Sequence, residues 1–234
     1  MKVKFKTVLP FAIVLAVFFP LIFVSKEATS IFINSFHTPK LDSFFIKTTW
    51  LGEGFMLISA LLLILVKKTK WIIAFLIGLA IHFIFIQINK LLLFPDVLRP
   101  LGYFEAIGKE HLLYRIENLR VYRTTSFPSG HTTGATFGAA FIAFAFKKIR
   151  SVSWVMMTLS VFVGLSRIYL IQHFLIDVYF GLLFGFVSAV LAIVLTKRIH
   201  KKYAWMNKFL IPKFKHLEVY IEEPDVIEES WNSN

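Results

Sequence analysis

An all-α, polytopic membrane fold with six transmembrane helices is what the sequence predicts, and three observations carry that prediction. The 234 residues are 57% hydrophobic with a mean hydropathy of +0.69, more apolar than a soluble domain of this length needs. Uncharged apolar runs long enough to cross a bilayer recur along the chain. Short basic clusters alternate with those runs, as expected where Lys and Arg hold loops on the cytoplasmic side. The 27 phenylalanines suit lipid-facing surfaces. With no cysteine in the chain, disulfides and thiolate metal sites are excluded. A formal charge of +12 could indicate nucleic acid, but its division into clusters between apolar runs points to membrane topology and to no nucleic-acid partner.

The predicted spans are about 7–25, 48–66, 71–94, 130–146, 152–171 and 174–196, within one membrane domain over 1–202. The first follows MKVKFK, and "FVSKEATS" after it lacks a small-residue cleavage pattern, so it reads as an uncleaved span. Lys2, Lys4 and Lys6 precede span one; Lys67, Lys68 and Lys70 lie between spans two and three. Lys147, Lys148 and Arg150 separate spans four and five, and Lys197, Arg198, Lys201 and Lys202 follow span six. Six spans with both termini cytoplasmic place all four clusters on the inner side. Segments 26–47 and 95–129 and the corner at 172–173 then face outward. Within them, "FHTPKLDSFF" reads as an amphipathic turn on the membrane surface. "YFEAIGKEHLLYRIENLRVYR" reads equally as a short interfacial helix or as a solvated connector. The tail, 203–234, is expected to be cytoplasmic, with a disordered acidic end at "IEEPDVIEES". No inverted repeat of the transporter kind is visible.

Three polar islands share the outer face: "KLLLFPDVLRP" from Lys90, "SFPSGH" from Ser126, and "SRIYLIQHFLID" from Ser166. Ionisable groups at membrane depth are costly unless they are paired or face a cavity, so these are functional candidates. In the second island Ser126 reads as an N-cap and Pro128 as a first-turn residue. The N–H groups of Ser129, Gly130 and His131 would then point outward as an anion site. Gly134, Ala135, Gly138 and Ala139 follow at spacings that suit tight helix packing. In the third island His173 and Asp177 are four apart on one helix face, where a carboxylate can take the Nδ1–H and leave Nε2 as a nucleophile. Arg167 is placed to fork onto phosphate oxygens. Lys90 and Arg99 add positive charge, the electrostatic clamp that phosphoryl transfer needs. Each feature has a plainer reading: a capped helix, a structural His–Asp pair, a snorkelling lysine, a headgroup contact at Arg99. Their joint occurrence on one face favours a site. A metal centre would want more ligands than His131, His173 and Asp177 supply. Glu53, in "LGEGF", reads as a brace for the pocket or as the partner of a cation, and His82 as a packed neutral histidine.

These residues resemble the three-part signature of the type-2 phosphatidic acid phosphatase family, K-x6-R-P, P-S-G-H and S-R-x5-H-x3-D. Pro128-Ser129-Gly130-His131 and Ser166-Arg167…His173…Asp177 match without deviation. Between Lys90 and Arg99 stand eight residues, not six; nine helical steps put side chains on opposite faces, and Pro95 offers the break that would turn Arg99 back. The resemblance implies a membrane lipid phosphatase of the bacterial inner membrane, its site facing the periplasm, working without metal or cofactor. His173 would form a phosphohistidine, Asp177 would orient it, and His131 would act as general acid and base. Lys90, Arg99, Ser129, Gly130 and Arg167 would hold the phosphate. Undecaprenyl pyrophosphate, lipid A phosphate, phosphatidylglycerol phosphate and phosphatidic acid are the substrate types it suggests. Outer-loop Lys109, Arg115, Arg120 and Arg123 suit a multiply charged headgroup. Lipid-to-lipid phosphotransfer and a non-catalytic phospholipid carrier remain as alternatives, while a vanadate haloperoxidase is opposed by the spans. Oligomeric state is not legible.

Overall fold

The apolar runs wind as helices, since a chain in lipid must satisfy its backbone polar groups within each segment. The computed structural model describes residues 3–212, so Lys2 and the acidic stretch 221–230 lie outside the described residues. Among the described residues there are nine α-helices: α1 (Phe5–Phe18), α2 (Lys26–Asn34), α3 (Pro39–Thr49), α4 (Phe55–Ile64), α5 (Thr69–Gln87), α6 (Pro100–Ala106), α7 (Gly130–Ala145), α8 (Arg150–Tyr169) and α9 (Leu175–Ile199). A single β-bridge, Lys68 to Phe209, is the only strand-like pairing among the described residues.

Four of the six expected spans stand as helices long and apolar enough to cross a membrane: Phe5–Phe23, Thr69–Leu93, Ser151–Tyr169 and Leu175–Ile199. The expected span 48–66 is a bent pair, Pro39–Glu53 and Phe55–Ile64, meeting at 50°. The bend falls at Gly54, whose φ of 112° is a left-handed conformation that glycine alone adopts without strain. The expected span 130–146 is α7, and its 16 residues reach only about 24 Å, short of a bilayer core of about 30 Å. By length and composition, then, four helices can cross, or five with the bent pair.

The shortness of α7 goes with its place at the centre of the bundle. Every residue from Thr132 to Ala145 is buried. In lipid there is no hydrophobic drive between helices, so close packing of small residues must hold them. Gly138 lies against the Met56 backbone of α4, and Gly185 of α9 against the backbone of Thr133 and Phe137. Gly134, expected to do the same, has its nearest neighbours at ordinary contact distance, 3.8 Å. Aromatic rings fill the rest. Phe137 and Phe141 of α7 meet Phe75 of α5, while Phe144 meets Phe186 of α9, itself stacked on Phe11 of α1.

The two ends of the bundle differ. At one end Lys67, fully buried, sits 5.0 Å from the Phe146 ring, and Thr69 N–H donates to the Lys208 carbonyl at 2.8 Å. Three of the basic clusters therefore share that end, together with the first residues of the tail. The opposite end carries the segments expected to face outward. Segment 26–47 holds two helices that the sequence reading did not separate: α2, capped by Ser25, and α3, capped by Thr38. The expected interfacial helix within 103–123 is confined to the end of α6 and a 3-10 turn at Glu110–Leu112. Beneath these segments Leu101, Phe104, Leu113, Ile171 and Phe174 form a small second core.

Candidate active site

All three polar islands meet at that second end. The α8–α9 corner builds the centre. Helix α8 stops at Tyr169, and the N–H groups of Gln172 and His173 both donate to the Arg167 carbonyl, at 2.9 and 3.1 Å. This tight turn buries the His173 ring, 1% exposed, at the start of α9. Asp177 stands in the first turn of α9, where its Oδ2 accepts the Phe174 N–H at 2.9 Å as a helix cap. The same oxygen accepts the Ser126 hydroxyl. His173 Nδ1 lies 3.4 Å from it, yet forms no hydrogen bond within the described residues. The expected histidine–aspartate pair is thus in contact, while the lone pairs of Oδ2 are directed at Ser126 and Phe174.

The second island departs from its expected capping. The N-cap of α7 is Ser129, not Ser126: its hydroxyl accepts the Thr132 N–H at 3.4 Å and lies 2.8 Å from the Thr132 hydroxyl. Pro128 precedes the cap rather than opening the helix, and Ser126 is released to hold Asp177. The Ser129 N–H, expected to be open, donates to the Asp177 carbonyl at 3.0 Å, which ties the starts of α7 and α9 together. The N–H groups of Gly130 and His131 belong to the first turn, where no intrahelical acceptor exists. They are the part of the expected anion site that remains.

The first island resolves the nine-step problem. Helix α5 continues as a π-helix over Ile88–Leu93, closed by the Phe94 N–H on the Asn89 carbonyl at 2.8 Å. The wider turn and the break after it bring both cations to one acceptor. Lys90 Nζ donates to the Thr125 carbonyl at 3.3 Å, and Arg99 NH2 to the same carbonyl at 3.3 Å. Arg99 also donates through Nε to the Thr124 carbonyl at 2.9 Å, and through NH1 to the Gln172 carbonyl at 3.1 Å. Thr125 has φ 58°, the left-handed turn that aims its carbonyl.

Arg167 completes the cationic set. Its NH1 donates to Thr49 Oγ1 at 2.6 Å, while its buried Nε has no partner among the described residues. An orphaned guanidinium donor inside a polar site fits an oxyanion. The same stretch of chain that supplies Thr49 supplies Glu53, whose Oε1 lies 3.7 Å from His131 Nε2. Gly52 permits this, since a Cβ there would stand 2.7 Å from the His131 Cβ. The charges of Arg167, Arg99 and Lys90 act on His131, as does the His173 ring. Burial, then Arg99, Arg167 and Lys90, push the His173 imidazole well below its ordinary value. It is therefore neutral at pH 7, with a lone pair to offer.

Lys90, Arg99, Gly130, His131, Arg167, His173 and Asp177 are brought together at one end of the bundle. Ser129 is also there, but its hydroxyl is engaged inside α7. His82 instead stacks on Phe137, ring centres 5.8 Å apart. Thr49, Thr125 and Gln172 were not singled out by sequence reasoning. Thr49 stands 118 positions from Arg167, with no spacing signal to join them. The place of Ser126, three residues before Ser129, was legible; its role was not.

With this geometry in view, comparison with known proteins gives two findings. The sequence model of the PAP2 superfamily matches residues 71–201. The crystal structure of Aquifex aeolicus LpxE resembles this fold with a TM-score of 0.60 and 23% identity, over 72% of this chain and 94% of that one. No curated protein matches the chain.

Proposed function

The chain belongs to the PAP2 superfamily, and from that premise we propose that it is a membrane lipid phosphatase acting through a phosphohistidine, without a metal. The observation that carries the reading is the meeting of Lys90 and Arg99 on the Thr125 carbonyl, beside a buried neutral His173. The superfamily match supports a lipid phosphate as substrate, held at the membrane surface.

In the proposed first step His173 Nε2 attacks phosphorus, and the bond from phosphorus to the lipid-side oxygen breaks. Its electron pair stays on that oxygen, which takes a proton from His131. Lys90, Arg99, Arg167 and the N–H groups of Gly130 and His131 hold the equatorial oxygens, whose charge grows in the transition state. Asp177, fixed by Ser126 and Phe174, steadies the positive charge that forms on His173. In the second step His131 takes a proton from water, whose oxygen attacks the phosphohistidine and frees His173 and inorganic phosphate. The inner membrane of a bacterium, with the site at the periplasmic face, is the proposed setting. An isoprenyl diphosphate or a lipid A phosphate is the favoured substrate type.

The test is phosphate release from purified lipid phosphates in detergent, beside His131→Ala and His173→Ala. Release is expected to persist in EDTA, to be inhibited by vanadate and to vanish in both variants. An acid-labile phosphoenzyme should be trapped from the parent and not from His173→Ala. Release by both variants at the parent rate would retire the mechanism.

A further inference from the structure

Four cations of the outer loop were expected to favour a multiply charged headgroup, and the structure separates them. Arg123 forks onto Glu105 through Nε and NH2, at 2.7 and 2.8 Å. Lys109 stands 3.5 Å from Glu27. Arg115 acts electrostatically on Glu105. Three of the four thus answer to acidic side chains of this chain. Arg120 has no carboxylate partner among the described residues.

Arg120 is instead tied to the catalytic end of the molecule. Its carbonyl accepts the Gln172 Nε2–H at 2.8 Å, and Gln172, buried beside His173, binds Arg99 with its own carbonyl. Its guanidinium lies 4.7 Å from the centre of the Tyr122 ring. The guanidinium of Arg99 lies 5.3 Å from the centre of the same ring. Two like charges share one aromatic ring, with no carboxylate between them. Each gains a cation–π contact, and an anion that reaches both is attracted by both. Tyr122 is half exposed, so such an anion can arrive from the membrane surface. Arg120 also borders a shallow, open depression lined by residues 115–120, with Glu117 as its acidic member.

We propose that Arg120, held on Tyr122, forms a second anion subsite next to the one at Arg99, and that it binds the lipid-side phosphate of a lipid diphosphate, the one that stays on the product. The inference rests on the lipid phosphatase reading. With guanidiniums 4.7 and 5.3 Å from one ring centre, the two charges stand at most about 10 Å apart, a span that two directly joined phosphates, each held by one charge, can bridge. Arg99 then belongs to the phosphate being transferred, and Arg120 reads whether another is attached to it. Arg120 is a specificity-determining residue: it touches substrate but takes no part in bond making.

The experiment compares farnesyl diphosphate with farnesyl monophosphate in neutral detergent, taking the ratio of their kcat/KM values. In Arg120→Gln and in Tyr122→Leu the ratio is expected to fall about tenfold, the loss of one charge-assisted contact. In Lys109→Gln, which removes an equal charge from the same surface, the ratio is expected to hold. Thermal unfolding in detergent confirms that each variant is folded. An unchanged ratio in Arg120→Gln overturns the subsite. An equal fall in Arg120→Gln and Lys109→Gln overturns it in favour of diffuse surface charge. Absence of His173-dependent release from either lipid by the parent protein would instead overturn the phosphatase reading, so the two failures are distinguishable.

Discussion

Ser126→Ala is the most informative single substitution in this site, because the serine touches no substrate in the proposed mechanism. Ser126 is fully buried and Asp177 is 1% exposed, so water cannot replace the lost hydroxyl. The hydroxyl donates to Asp177 Oδ2, and its loss would leave the Phe174 N–H as the donor to that oxygen among the described residues. A hydrogen bond to a charged group contributes about 1.5–3 kcal/mol. If Asp177 counts mainly once His173 becomes positive, that loss falls on the transition state, and kcat should drop about 10- to 150-fold. KM should change less than about twofold, since an interaction made only in the transition state does not alter substrate binding. Single-turnover phosphate release in detergent measures the step, with thermal unfolding to show that the fold survives. Asp177→Asn is the reference, expected to lose at least as much. A Ser126→Ala enzyme with parental kcat, beside a crippled Asp177→Asn, would refute the idea that Ser126 holds the carboxylate for catalysis.

Glu53→Gln should lower kcat by no more than about fivefold, because a half-exposed pair at 3.7 Å is worth at most about 1 kcal/mol; a hundredfold loss would mean that Glu53 itself exchanges protons. Gly185→Ala should destabilise the fold by about 1–3 kcal/mol, since the new Cβ would press on the Thr133 carbonyl and stand 2.8 Å from Thr136 Cβ. An unaltered melting temperature would show that α7 and α9 can part freely. His173 also makes stability depend on pH. Its folded value lies well below the ordinary 6.5, so on acidification the unfolded chain takes up a proton before the folded one does. That contribution is full above about pH 6.5 and is lost as pH falls toward the folded value. Melting curves between pH 7 and 5 should therefore slope less in His173→Gln than in the parent, whereas Glu27 and Glu105, lowered from 4.5, act only in more acid solution. Equal slopes would contradict the burial argument.

Spacing along the chain made His131, Arg167, His173 and Asp177 legible, since local helix geometry relates each to its motif. Lys90 and Arg99 were legible as charges but not as neighbours. The π-helix that reconciles their spacing leaves no mark in "INKLLL" that a reading by helical steps could use. Ser126 was misplaced by three residues for a similar reason. Both Ser126 and Ser129 are good caps, and only the tertiary contact with Asp177 decides between them. Hydropathy placed a helix within each of the six expected spans, yet it could not separate α7, short and wholly enclosed, from a helix that crosses lipid. Apolar composition reports burial, and burial in protein looks the same as burial in a bilayer.

The partners of the cations show how such a site stays ready for an anion. Lys90 and Arg99 are held by the carbonyls of Thr124, Thr125 and Gln172, and Arg167 by the Thr49 hydroxyl. These are neutral acceptors: they fix direction without cancelling charge. Farther out, Arg123 and Lys109 are matched to Glu105 and Glu27, as side chains with a structural task would be. A carboxylate beside Lys90 or Arg99 would have to be displaced before phosphate could bind, and its desolvated charge would then need another home. A carbonyl needs no such displacement, because a phosphate oxygen can take the remaining N–H groups while the carbonyl keeps its own. Asp177 does not break this pattern. It is turned toward Ser126, Phe174 and His173 and accepts no hydrogen bond from the cations, so they stay open to substrate while its charge still acts on Arg99 and Lys90 through space and stands beside the imidazole that becomes positive.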